Sequence, residues 1–191
     1  MERKILITKA NFCIVDFETT GINYKSDKII EIGAVRANQF EITDKFHKIV
    51  DPLKKIPSRI TEVTGITNDM IQGMPTIDDV KNDFFKFLDD NIWVEHSNNW
   101  FDFNFAKQEF SMNKNVFRIN TMKLSKIVYN FDKVNLDIVV KKLIPNTQKP
   151  REKHKALEDA ILTTLILQEI LKCLNDRGIN YLILYNEKEV L

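Results

Sequence analysis

The residues with the most chemical promise lie near the amino terminus, in Phe12-Cys13-Ile14-Val15-Asp16-Phe17-Glu18-Thr19-Thr20-Gly21. An apolar run of strand length carries two carboxylates two positions apart and ends in a Thr-Thr-Gly turn. Successive side chains of a strand point to opposite faces, so Asp16 and Glu18 share one face while Val15 and Phe17 take the other. Two acids in one small, poorly hydrated volume repel, and a hard divalent cation bound through oxygen relieves that repulsion. Taken alone, the pair reads equally well as a solvated strand edge.

Two more aspartates stand in unusual company. Asp102 follows Asn98-Asn99-Trp100-Phe101 at a helix start, and Asp159 falls in the first turns of the last long helix, five residues after His154. A lone aspartate at a helix start is more often a dipole-stabilised capping charge than a ligand. Five residues along a regular helix turn two side chains well apart, so His154 and Asp159 face one site only if His154 lies in the loop before the helix. Residues 145–153 have the composition of such a loop. Glu31, inside an apolar run, is a candidate third metal-facing acid, but its spacing favours a buried glutamate hydrogen-bonded to backbone.

Positioning these groups falls to an alternating set of elements. β-rich stretches at residues 12–18, 29–37 and 40–50, joined by short polar links, imply an antiparallel meander. A short helix follows from Ser58 and ends at Gly65, and Thr76 caps an amphipathic helix through Leu88 with Val80, Phe84, Phe87 and Leu88 on its apolar face. Strands at 91–96 and 116–120 then alternate with helices at 101–112, 121–129, 136–143 and 155–174. That alternation adds parallel strands to the meander, giving an α/β fold with a mixed central sheet covered by helices. The tail from Gly178 is apolar enough to dock at an unspecified place.

The chain of 191 residues suits one well-buried domain over 1–191. Its 43% hydrophobic and 29% charged residues are those of an ordinary globular protein, and a net charge of +1 argues against coating nucleic acid by bulk charge. Cys13 and Cys173 form neither a CxxC nor a Cys/His cluster, so buried free thiols in a reducing compartment are expected. No run has the length of a membrane span or a signal-peptide core, which points to a cytoplasmic location without a membrane partner.

Three segments together resemble the exonuclease motifs of the DEDDh, or DnaQ-like, family: Asp16-Phe17-Glu18-Thr19-Thr20-Gly21, Phe101-Asp102 with Phe105 beyond, and His154-Lys155-Ala156-Leu157-Glu158-Asp159-Ala160. Ile60-Thr61-Glu62-Val63-Thr64-Gly65-Ile66-Thr67 is similar to the family's segment beside the substrate's terminal nucleotide. The likeness runs from about Asn11 to Leu174, leaving 175–191 as a tail, and includes the proofreading subunits of bacterial DNA polymerase III. Members usually carry His-Asn ahead of the second motif's aspartate; here Ser97-Asn98 stand there and His96 comes one place early. Asn120 replaces an aspartate often seen before the following threonine.

The resemblance implies a ribonuclease H-like fold and removal of nucleoside monophosphates from the 3′ end of DNA, or of RNA, in proofreading or repair. It implies catalytic residues Asp16, Glu18, Asp102, His154 and Asp159. The four acids would hold two divalent ions, Mg²⁺ with Mn²⁺ as substitute, and His154 would take the proton of the attacking water. Backbone groups at Thr19 and Thr20 would meet the terminal sugar, and Thr64 and Ile66 would wedge against the last base. Partners would be a single-stranded 3′ end and a DNA polymerase subunit. Lys149, Arg151, Lys153 and Lys155 crowd the loop at His154, where a phosphate backbone would find positive charge or where the lysines are merely solvated. A binding module that holds a 3′ end without cutting it is the alternative on the same fold, and would lack one of the acids or the histidine.

Overall fold

The computed structural model describes residues 2–112, 116–147 and 154–185. Its centre is a sheet of five strands in the order β4-β3-β2-β5-β6. β2 (Phe12–Thr19), β3 (Ile29–Ala37) and β4 (Ile42–Ile49) form the expected antiparallel meander. β5 (Ile92–Glu95) and β6 (Arg118–Asn120) then add in parallel, β5 against β2 and β6 against β5. Between residues 12 and 176 the order of strands and helices matches the sequence pattern, with ends shifted by a few residues.

Alternation along β2 splits the core into two layers. Cys13, Val15 and Phe17 pack with Phe84 and Phe87 of α2 (Ile77–Leu88), with Trp93, and with Phe103 and Phe105 of α3 (Phe101–Glu109). Phe12 and Ile14 face the other way, onto Ala160, Leu167 and Leu171 of the long α6 (Ala156–Asp176). Asp16 and Glu18 continue this second face beyond its apolar end, so α6 covers the sheet up to the two acids and stops. α4 (Thr121–Tyr129) and α5 (Leu136–Leu143) pack behind α6 around Val128, Val139, Ile166 and Ile170. α1 (Ser58–Thr64) ends at Gly65, whose φ of 79° is the left-handed conformation that terminates the helix.

A second, two-stranded sheet escaped the sequence pattern. β1 (Glu2–Leu6) pairs antiparallel with β7 (Tyr181–Tyr185), joining the first and last described segments. Ile5, Leu182 and Leu184 of this ribbon lie on the α6 layer, which answers where the tail docks. Neither strand shows clean alternation, because each buries only part of one face.

Close approach of α6 to the sheet depends on Gly33, the residue paired with Asp16 across the β2–β3 ladder. A β-carbon at Gly33 would overlap the carbonyl carbon of Ala156 and the amide nitrogen of Leu157, the first two residues of α6. These are backbone atoms, so no rotamer change makes room. Gly33→Ala should therefore cost about 3 kcal/mol of stability in urea denaturation, at the upper end of overpacking penalties, and displace the start of α6. Wild-type stability would show that α6 does not rest on the sheet here.

Candidate active site

The elements bring Glu18, His154 and Asp159 together from a strand and a helix start, with Asp16 on the same strand face and Asp102 fastened to that strand. β2 supplies Asp16 and Glu18 on its α6-facing side, both half-buried at the strand's carboxyl end. α6 supplies Asp159, buried in its first turn, and His154 lies before the helix start at Ala156, as a shared site requires. The His154 amide donates to the Val63 carbonyl at 3.1 Å, tying this segment to α1. The His154 ring stays half-exposed, with Nδ1 3.5 Å from Asp159 Oδ2. One donor atom each from Glu18, His154 and Asp159 lies within 4.8 Å of the others.

Asp102 arrives on α3. Its Oδ1 accepts a 2.9 Å hydrogen bond from the Phe17 amide, the backbone link between Asp16 and Glu18. The fourth acid is thus fastened to the strand that carries the first two. Burial, and next the nearby charge of Glu95, push the Asp102 carboxyl well above the usual carboxylate range, with Glu18 adding in the same direction. An uncompensated anion is costly there, which is the electrostatic condition a cation relieves. Oxygen-rich donors with no thiol among the predicted site residues fit a hard divalent ion, so the residues match the metal requirement.

Glu31 is buried and acts on the site through backbone, as its position in an apolar run suggested. Its Oε2 accepts from the Ala156 amide at 3.2 Å and its Oε1 lies 2.7 Å from His47 Nε2. The carboxylate therefore caps the helix that carries Asp159.

The predicted substrate residues are mostly committed to the protein. Thr19 Oγ1 donates to the Gly21 carbonyl at 2.5 Å, and Thr20 donates its amide to Lys28 and its hydroxyl to Asp27. Thr64 and Ile66 are buried, the former donating to the Ile60 carbonyl and the latter packed with Ile30, Ile56 and Ile71. Val63 is instead the exposed apolar side chain of that segment, next to the carbonyl that holds His154. Lys149, Arg151 and Lys153 of the basic loop lie outside the described residues, and Lys155 Nζ is 3.8 Å from Glu158.

Sequence reasoning passed over Glu95, which is fully buried at the end of β5. Its signal was an acid closing the apolar run Ile92-Trp93-Val94. His96 is not a site residue: its ring nitrogens lie 2.7 Å from Thr121 Oγ1 and 2.8 Å from the Val134 carbonyl oxygen, below the surface.

Comparison with known proteins matches residues 13–167 to the RNase T family of exonucleases. The chain belongs to that exonuclease family. A PolC-type DNA polymerase III from Clostridium perfringens is 40% identical over 161 residues, covering 82% of this chain but 11% of the polymerase. Exonuclease X, solved in complex with 5′ overhanging duplex DNA, superposes with a TM-score of 0.68 at 25% identity, covering 87% of this chain and 93% of that one. The nuclease domain of 3′hExo, a DEDDh member bound to rAMP, superposes with a TM-score of 0.73 at 20% identity over 93% of this chain and 97% of its own. The fold is thus that of the DEDDh exonucleases, with their mixed sheet and covering helices. Among the described residues no helix is long and apolar enough to cross a membrane.

Burial holds the His96 imidazole down at about 4, against the opposing hydrogen bond to Val134. An unfolded histidine titrates near 6.5, so between these values the unfolded chain binds the extra proton and stability falls as pH falls. Asp102 and Glu95, both raised by burial, act with the opposite sign and gain stability as pH falls. Comparing wild type with His96→Gln isolates the histidine. In metal-free buffer, wild type should lose on the order of 2 kcal/mol more than the variant between pH 6.5 and 4, read by urea denaturation.

Proposed function

We propose that this chain is a metal-dependent 3′–5′ exonuclease that releases nucleoside monophosphates from a single-stranded 3′ end, with DNA as the principal substrate. The observation that carries this reading is the convergence of Glu18, His154 and Asp159 within 4.8 Å, beside an Asp102 hydrogen-bonded to the intervening strand. Asp16, Glu18, Asp102 and Asp159 would hold divalent metal, Mg²⁺ or its substitute Mn²⁺. When bound, the metal supplies charge relief for the phosphate and acidifies water.

The remaining chemistry belongs to the side chains. His154 is half-exposed at the rim, so its ring can reach a water approaching from solvent and accept its proton. Asp159, 3.5 Å from Nδ1, orients that ring and favours the imidazolium formed on proton transfer. Backbone at Thr19 and Thr20 borders the same strand end and would meet the terminal sugar there, while exposed Val63, backed by the buried Thr64 and Ile66, would form the apolar wall for the last base. DNA as substrate and a role beside a DNA polymerase are supported by the kinship with the PolC-type polymerase, of which the chain spans a small part.

Matched 5′-labelled single-stranded DNA and RNA, incubated with Mg²⁺, Mn²⁺ or chelator, test this reading. Stepwise shortening from the 3′ end with DNA preferred is expected, abolished by chelator and by Asp16→Ala. His154→Ala should retain metal binding and lose about 10²- to 10⁴-fold in kcat. Binding of a 3′ end without shortening would favour the non-catalytic module, and cleavage that persists with chelator would refute the metal mechanism.

A further inference from the structure

The backbone on both sides of Asp102 is gripped by groups that the chemistry above does not use. The Phe101 amide, immediately before it, donates to Ser97 Oγ at 3.0 Å. The Phe103 amide, immediately after it, donates to Glu95 Oε2 at 3.0 Å. The two acceptors are themselves joined, because the Ser97 hydroxyl donates to Glu95 Oε1. Trp93 Nε1 donates to Glu95 Oε2 at 2.7 Å, and Asn120 Nδ2 donates to the Ser97 carbonyl at 2.8 Å.

This grip acts on a turn that needs it. Asn99 and Trp100, directly before α3, have φ of 51° and 58°, two consecutive non-glycine residues in the left-handed region. Such backbone persists only where its surroundings over-determine it. The Trp100 ring is held under the Arg118 guanidinium, 4.6 Å from its centroid, with Lys123 Nζ at 5.5 Å. A buried glutamate is also a poor way to fill core space, since an apolar side chain of similar volume costs no desolvation. Its retention needs a reason beyond packing, and the amides flanking Asp102 supply one.

We propose that Glu95 and Ser97 form a carboxylate–hydroxyl clamp that positions Asp102 for metal binding and cleavage. The proposal rests on the exonuclease reading above and assigns to Ser97, which stands where the family usually has histidine, the task of fixing the entry to α3. What the clamp needs is acceptors at two places, not charge. In the Glu95→Gln variant the new side-chain oxygen can still accept from the Phe103 amide, while the new NH₂ group donates to Ser97 Oγ. The Ser97→Thr variant keeps the hydroxyl. Both conservative changes should therefore preserve the clamp, whereas Glu95→Ala and Ser97→Ala break it.

The test measures Mn²⁺ binding by calorimetry on the protein without nucleic acid, and kcat and KM on a single-stranded oligonucleotide, with folding checked by circular dichroism and thermal melting. Folded Ser97→Ala and Glu95→Ala should each lose about 10- to 100-fold in kcat and bind Mn²⁺ more weakly, with KM for the oligonucleotide little changed. Ser97→Thr and Glu95→Gln should recover most of the loss. Wild-type kcat and Mn²⁺ binding in the alanine variants would overturn the clamp, and so would equal losses in the conservative pair. If Glu95→Ala does not fold, Ser97→Ala decides, because it removes only a hydroxyl from a half-buried site. A wild-type protein that neither binds Mn²⁺ nor cleaves would refute the exonuclease reading itself, whereas an active wild type with indifferent variants refutes only the clamp.

Discussion

Everything at the site depends on how closely the start of α6 can lie on β3. Gly33 leaves room for the Ala156 and Leu157 backbone, and Glu31, two residues before it and on the same face, accepts the Ala156 amide. A hydrogen bond to a charged acceptor contributes about 1.5–3 kcal/mol, enough to fix the helix in register against the strand. The ladder pairs Asp16 with Gly33 and Glu18 with Glu31, so the surface that receives α6 is the one directly beside the first two acids. Helix docking and site assembly are consequently one event.

Charge explains why such docking needs so many fasteners. Asp102 and Glu95 are both buried acids raised by that burial, and the charges of Glu95 and Glu18 raise the proton affinity of Asp102 further. A fold that gathers like charges gives up stability locally and recovers it from the aromatic layer beneath. Phe17, Phe84, Trp93 and Phe110 meet there at ring separations of 4.7–6.3 Å, with Phe103 edge-on to Trp93. Phe17 belongs to both systems: its ring anchors β2 in that layer while its amide holds Asp102. Core packing and the anchoring of Asp102 therefore meet in the same residue.

Much of this was legible beforehand, for identifiable reasons. Period-two alternation placed Asp16 and Glu18 on one face, and the five-residue gap between His154 and Asp159 forced the histidine off the helix. Both arguments use only local geometry. Glu31 was recognised as buried, but its partners, Ala156 and His47, are distant in sequence and leave no local trace. Glu95 was passed over although its partners Trp93, Ser97 and Phe103 lie within eight residues, because the turn at Asn99 and Trp100 that folds Phe103 back onto it has no periodic pattern. The β1–β7 ribbon was missed because its pairing spans the whole chain and its strands expose one face. Thr64 and Ile66 were assigned by resemblance, and their burial leaves Val63 as the exposed apolar side chain of that segment.

The most direct test of the assembled site is the position of bound metal in crystals grown with manganese, read from its anomalous scattering. Density bounded by Asp16, Glu18 and Asp159, with Asp102 on its far side and His154 at the open rim, is the predicted result. Manganese found elsewhere, or absent from that pocket at saturating concentration while the protein remains folded, would contradict the account.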